Sequence, residues 1–158
     1  MKKITVFVVL ALALTIALCS CMMKKIDEHY YFTVNGVEIV PGVRAEDVLG
    51  YLGEHRSMQS TPSCAFDGEE RIYGYSGFDV YTEWENGKEV ISRIVLTSDA
   101  ASTERGVRVG DSVDDVVAAY GRNYDKKGEN IEYDGERCDL RFIIRDGVVT
   151  SIKYLADD

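Results

Sequence analysis

The sequence predicts an α+β fold made of two tandem repeats, each with one helix and an antiparallel sheet. Three observations support this prediction. Short segments alternate apolar and polar residues as half-buried strands do, each half of the chain contains one segment with helical periodicity, and similar segments recur in the same order. The first repeat is expected to cover residues 30–98 and the second residues 99–158, after a signal peptide at 1–20 and a tether at 21–29.

The repeat is clearest at the predicted helices. The segment EIVPGVRAEDVLGYLG (38–53) aligns with GVRVGDSVDDVVAAYG (106–121), which places Asp47 on Asp115. The strand segments that follow also correspond, because DVYTEWENG in the first half matches DLRFIIRDG in the second. Several matches in one order indicate that each half forms the same supersecondary unit.

The aspartates of the second repeat are interpreted as the start of a helix. Ser112 and Asp115 have the spacing of an N-cap with a capping box, and acidic residues favour the positive end of the helix dipole. Gly121 is expected to end the helix. A calcium loop needs a different spacing of acidic ligands, so no metal site is predicted here. The apolar stripe of this helix consists of Val113, Val116, Val117 and Tyr120.

The predicted strands have one apolar face and one mixed face. Asn-Gly and Asp-Gly pairs, which favour tight hairpin turns, stand at Asn35-Gly36, Asn86-Gly87 and Asp146-Gly147. The residues expected to point inward are Phe78, Val80, Trp84, Ile94, Leu140, Phe142, Ile144 and Ile152. Those expected to point outward are Tyr81, Glu83, Glu85, Arg93, Val95, Arg141, Ile143, Arg145 and Lys153.

The outward positions form the predicted binding surface for a partner. Tyrosine and arginine are over-represented at interface hot spots, and a purely solvated face would carry fewer Tyr, Val and Ile residues. The first repeat presents acidic residues and the second basic ones, an asymmetry that would orient a partner. The alternative is that tyrosines stack across strands only to stabilise small sheets. The expected contact residues are Tyr81, Glu83, Arg93, Arg141, Ile143, Arg145 and Lys153.

The amino terminus has the features of a bacterial lipoprotein signal. Lys2 and Lys3 precede an apolar run that is short for a membrane span of about 20 residues. The run ends in Leu-Cys-Ser-Cys, which resembles a lipobox, so cleavage and lipidation are expected at Cys21. An ordinary secretory signal with incidental cysteines is the alternative. Several acyl chains, palmitate among them, make a stable anchor, which places the protein on the extracytoplasmic side of the cell membrane.

The composition limits the kinds of partner. The formal net charge is −9, and without Lys2 and Lys3 the remaining 16 basic residues stand against 27 acidic ones, which gives −11. Nucleic-acid binding depends on a basic surface, so nucleic acid is not an expected partner. The expected partners are the membrane, through the lipid anchor, and a protein or another component of the cell envelope.

Two cysteines lie beyond the predicted anchor, Cys64 and Cys138. An extracytoplasmic compartment permits a disulfide between them, which would join the two repeats and stabilise the fold by roughly 4 kcal/mol in the chain-entropy model. Two separately buried thiols are the alternative. Neither cysteine belongs to a C-x-x-C spacing, so no zinc site is predicted.

The sequence predicts neither a catalytic site nor a cofactor. The mature chain has two histidines, His29 and His55, and neither accompanies a recognisable nucleophile motif such as G-x-S-x-G. The sequence also contains no phosphate-binding loop. Acidic pairs such as Glu83 and Glu85 alternate with core residues, as the charges of a solvated strand do. The predicted function is therefore non-catalytic binding.

Three segments carry a resemblance to a known group of proteins. PSCAFDGEERIYGYSGFDVYT, STERGVRVGDSVDDVVAAYG and DGVVTSIKYL resemble uncharacterised lipoproteins common in Firmicutes, which belong to the β-lactamase-inhibitor-protein-like fold. The resemblance implies two tandem units that form one curved sheet, whose open face can grip a partner protein. Fold alone does not determine function. An inhibitor-like binding module is the expected role, and a structural accessory subunit of an envelope assembly, transport or sensing complex is the alternative.

Overall fold

The computed structural model describes residues 28–62 and 69–156. In these residues each of two helices is followed by four strands, and a short hairpin precedes the first helix, which confirms the predicted α+β class. The elements are β1 (Phe32–Val34), β2 (Val37–Ile39), α1 (Ala45–Leu52), β3 (Ser57–Pro62), β4 (Glu69–Gly74), β5 (Phe78–Glu85), β6 (Lys88–Leu96), α2 (Val113–Tyr120), β7 (Asp125–Lys127), β8 (Asn130–Tyr133), β9 (Cys138–Arg145) and β10 (Val148–Ala156).

The long strands form one eight-stranded antiparallel sheet in the order β3-β4-β5-β6-β10-β9-β8-β7. Strands β3 to β6 make one meander and β7 to β10 make another. The two meanders meet where β10 pairs with β6, with Ile152 opposite Leu96 and Tyr154 opposite Ile94. β1 and β2 form a separate two-stranded ribbon.

The predicted start and end of α2 are confirmed. The Ser112 side chain accepts a hydrogen bond from the Asp115 backbone N–H, and the Asp115 carboxylate accepts one from the Ser112 backbone N–H. Gly121 follows the helix with a φ of 85°, a conformation that glycine adopts without strain. The N-cap of α1 is Arg44, whose side chain makes no capping hydrogen bond.

The predicted hairpin turns are also confirmed. Asn35, Asn86 and Asp146 have φ values of 52°, 49° and 52°, and each is followed by a glycine that also has a positive φ. Two successive residues of this kind produce the turn whose twist matches that of the flanking strands. The turn chemistry therefore sets the register of β1–β2, β5–β6 and β9–β10.

Both helices and the β1–β2 ribbon pack on the same face of the sheet. The Phe32 ring lies 4.8 Å from that of Phe78, and the Tyr120 ring lies 5.4 Å from that of Phe142. Val48 of α1 belongs to the same buried cluster. Seven of the predicted inward residues are buried in this core, namely Phe78, Val80, Ile94, Leu140, Phe142, Ile144 and Ile152.

Two residues differ in exposure from what their predicted orientation implies. Trp84, expected in the core, is 39% exposed, because a cavity of about 390 Å³ separates the β5–β6 turn from Leu49 of α1. The eight-residue helix is only about 12 Å long and does not extend over the end of β5. Val95 does lie on the face away from the helices, but it is only 8% exposed. It is directly opposite Lys153 and Asp79, whose longer side chains flank it.

A bulge interrupts the alternation in β6. Tyr81 is opposite Arg93 while Thr82 is opposite Ile91, so Ser92 is an extra residue between the two pairs. Ile91 and Ile94 can therefore both face the core although three positions separate them. A second register shift occurs in β10 between Val149 and Ser151.

Candidate interaction face

The face of the eight-stranded sheet opposite the helices is the candidate site, and we call it the open face. Direct pairing brings Tyr81 next to Arg93, and Arg141 next to Lys153. All of the predicted contact residues lie on this face and are partly or fully exposed, namely Tyr81, Glu83, Arg93, Arg141, Ile143, Arg145 and Lys153.

A cation–π contact orders the part of the open face formed by the first meander. The Arg93 guanidinium carbon lies 3.9 Å from the centre of the Tyr81 ring. The same guanidinium forms an ion pair of 2.7 Å with Glu70 on β4. Both the tyrosine and the arginine are therefore held in one arrangement before any partner binds.

A three-residue charge cluster orders the part formed by the second meander. Glu132 of β8 is 4% exposed and accepts hydrogen bonds from Arg141 and from Lys127, the latter at 2.5 Å. Burial would raise the pKa of Glu132, but the hydrogen bonds from these two cations outweigh burial and hold the pKa below its usual value. Glu132 thus largely neutralises the charge of Arg141 within the protein.

Between these two clusters the open face is weakly concave. A depression of about 260 Å³ has Glu83, Arg93, Asp139 and Arg141 in its lining, together with Ser92 at the bulge. The Ser92 hydroxyl is buried and has no hydrogen-bond partner among the described residues. Burial, with a smaller contribution from Glu85, raises the pKa of Glu83, while Arg93 acts in the opposite direction. Polar groups of both signs therefore line this depression.

Three carboxylates at the end of the second meander have the spacing that a cation would need. The oxygens of Glu132, Asp134 and Asp139 lie within 4.8 Å of one another. Oxygen ligands suit Ca²⁺ or Mg²⁺. Arg141 already binds Glu132, and the Gly135 backbone N–H donates to Asp139 at 3.2 Å. A metal would have to compete with these partners, so the cluster fits a protein ion-pair network better than a metal centre.

A buried acidic site centred on Glu104 is absent from the sequence-based predictions. The Glu104 carboxylate accepts hydrogen bonds from the hydroxyls of Tyr120 at 3.0 Å and Tyr154 at 2.9 Å. Its neighbour Arg105 packs over the Tyr120 ring at 4.7 Å and pairs with Glu28 at 2.5 Å. The sequence held no signal for this site, because its members lie far apart in the chain and Glu104 is in a polar connecting stretch.

The cysteine predictions fall largely outside the described residues. Cys21 and Cys64 are not among them. Cys138 is fully buried in the core, and its sulfur lies 3.0 Å from the Tyr30 carbonyl oxygen. Among the described residues, no helix is both long enough and apolar enough to cross a membrane.

The chain is similar to known proteins in its fold, but it matches none of them as a member of a sequence family. The structure is similar to that of an extracellular protein containing an SCP domain from Bacillus anthracis strain Ames, with a TM-score of 0.54 and 14% sequence identity over 85% of this chain and 49% of the other. The chain thus spans about half the length of that protein. It also matches a DUF4309 family protein (YjgB) from Bacillus subtilis strain 168, with a TM-score of 0.45 and 19% identity over 75% of this chain and 81% of the other. No protein-family model and no curated protein sequence matches the chain.

Proposed function

We propose that the protein is a membrane-anchored, extracytoplasmic lipoprotein that binds a partner protein through the open face. One observation supports this function above all: both helices and the β1–β2 ribbon pack on one face of an eight-stranded sheet, and no described helix covers the other. That open face carries Tyr81, Ile143 and several arginines. Its apolar and cationic residues have the composition of an interface.

The ordering of the open face supports binding as well. Tyr81 and Arg93 are already fixed by their mutual contact and by Glu70. A partner would therefore immobilise few additional side chains, and immobilisation is one of the main free-energy costs of association. Basic groups remain at the exposed Arg145 and the half-buried Lys153, which suits them to set the orientation of an acidic partner surface.

A tandem-repeat, β-lactamase-inhibitor-protein-like architecture is part of this proposal. It is supported by the order of elements, in which each helix precedes a four-stranded meander, and by the pairing of β6 with β10 at the centre of the sheet. A protein of similar fold is described as extracellular, which agrees with the proposed location. The lipid anchor at Cys21 rests on the sequence of the signal segment.

Charge reversal on the open face tests the proposal. Labelled palmitate should be incorporated into the full chain and not into its Cys21→Ala variant. The lipidated chain would then be used to capture its partner from solubilised envelopes. The double variant Arg145→Glu/Lys153→Glu should lose the partner that the wild type captures, with a melting temperature within a few degrees of wild type. Arg141 is a poor choice, because its substitution by glutamate would remove one of the two cations that pair with the buried Glu132 and would put a second carboxylate beside it.

A control reverses one positive charge elsewhere on the surface, by the same type of substitution. Arg122 is exposed in the loop after α2, on the helix side of the molecule, so Arg122→Glu should retain capture. Equal capture by all three proteins would overturn the assignment of the open face. Aggregation of a chain that begins after Cys21, and so lacks the anchor, in the absence of any partner would instead favour the accessory-subunit role, in which the chain is permanently docked in a complex.

A further inference from the structure

The two edges of the eight-stranded sheet differ in how they are protected. One edge is β7, which has only three residues, Asp125–Lys127, all of them charged. The other edge is β3, which has six residues, Ser57–Pro62, none of them charged. Natural proteins protect edge strands by making them short or by placing charges or proline on them. The β7 edge is both short and charged, whereas the β3 edge is neither, and its one proline, Pro62, is its last residue.

The β3 edge is also accessible. All six of its residues are exposed, and Met58 keeps 52% of its surface in solvent. Strand β4 is its neighbour on one side, and β3 is the last strand of the described sheet on the other. Backbone N–H and C=O groups along that outer side can pair with another strand.

We propose that two copies of the chain associate by antiparallel pairing of their β3 strands. A strand that pairs with a copy of itself about a two-fold axis must be antiparallel, which continues the pattern of this sheet. Each mature copy, without Lys2 and Lys3, has 16 basic and 27 acidic residues and a net charge of −11, so most contacts between copies would be repulsive. The uncharged β3 edge brings no like charges together.

The side chains of β3 are suited to this pairing. Ser57, Gln59 and Thr61 lie on the open-face side of the strand, where cross-strand hydrogen bonds between hydroxyl groups stabilise adjacent strands. Met58 lies on the other side, opposite Tyr73, and would lose solvent contact. One pair of six-residue strands buries less than a standard interface, so the dimer is expected to be weak in dilute solution and populated where a membrane concentrates the copies.

Site-specific photo-cross-linking of the full chain in its native membrane tests the proposal. A photoreactive phenylalanine analogue at Gln59 should give a covalent product of twice the mass of the mature chain, with β3 peptides of both copies in the cross-link. The same analogue at Lys126 on the protected edge should give none. Equal dimer yields from the two positions, no dimer from Gln59, or capture of a different protein there would each overturn self-pairing.

Charge exchange provides a second, independent criterion. The variants Ser57→Lys/Thr61→Lys and Ser57→Glu/Thr61→Glu should each lose the Gln59 cross-link, because like charges then face one another across the strand pair. Co-expression of the two should restore it. A cross-link that persists when either variant is expressed alone, or that fails to return when the two are co-expressed, would contradict pairing through β3. All these residues are exposed, so the substitutions leave the core unchanged.

Discussion

Glu104 is the clearest case of one residue whose environment changes its chemistry. Its side chain is 8% exposed, and both carboxylate oxygens accept hydrogen bonds from tyrosine hydroxyls. Burial raises the pKa of this carboxyl, and the tyrosine hydrogen bonds together with Arg105 only partly oppose the increase. The folded chain therefore binds this proton more tightly than the unfolded chain does.

This environment predicts a specific dependence of stability on pH. Protonation of Glu104 stabilises the fold, so its contribution is complete below the pKa of the unfolded chain and is lost as the pH rises through the raised pKa of the folded chain. Glu104→Gln imitates the protonated form. The free energy of unfolding of the wild type should therefore fall relative to that of Glu104→Gln as the pH rises across this interval. Urea unfolding at several pH values measures this difference in the free energy of unfolding. A difference that stays constant with pH would contradict the prediction.

The two helices begin in different ways, although the sequence aligns them. Ser112 and Asp115 form a reciprocal capping box at α2, whereas Arg44 leaves the first backbone N–H groups of α1 without a side-chain acceptor. Hydrogen bonding by the Ser112 side chain and backbone lowers the pKa of Asp115, which keeps the cap ionised down to acid pH. The start of α2 should thus be the better defined of the two.

Removal of the α2 cap should cost a measurable amount of stability. Ser112→Ala leaves an N-terminal backbone N–H without its acceptor and should lower the free energy of unfolding by about 1 kcal/mol. Ser76→Ala, at an exposed serine between β4 and β5, is the control and should change it by less than about 0.5 kcal/mol. Thermal or urea unfolding decides between these outcomes. Equal effects of the two substitutions would show that the cap contributes nothing particular.

The same elements show how far the sequence could be used to predict structure. The bounds of α2 and the three hairpin turns follow from local chemistry, such as the Ser112 cap and the Asn86-Gly87 pair, and local chemistry can be recognised in a sequence. The exposure of Trp84 depends on how far α1 reaches across the sheet, which is a tertiary property. The Ser92 bulge and the Glu104 hydrogen bonds likewise join segments that only the fold brings together.

In the whole molecule, the amino-terminal described residue and the β3 edge lie near opposite ends of the eight-stranded sheet. Glu28 lies beside the β8–β9 connection, where its carbonyl oxygen accepts a hydrogen bond from the Glu136 N–H at 3.0 Å. The β3 edge is at the opposite end of the sheet, five to six strand spacings away, or roughly 24–29 Å at about 4.8 Å per strand. With the proposed anchor at Cys21, the second meander would stand nearer the membrane. The open face would then extend from there toward the β3 edge.

Lysine reactivity in intact envelopes can show whether the open face is covered by a partner. An acylating reagent would be applied to the full chain in membranes and to the purified chain, and the modification of Lys153 on the open face would be compared with that of Lys126 on the exposed β7 edge. If the open face binds a partner, Lys153 should be protected several-fold in membranes while Lys126 reacts equally in both preparations. The same ratio of Lys153 to Lys126 modification in both preparations would contradict it.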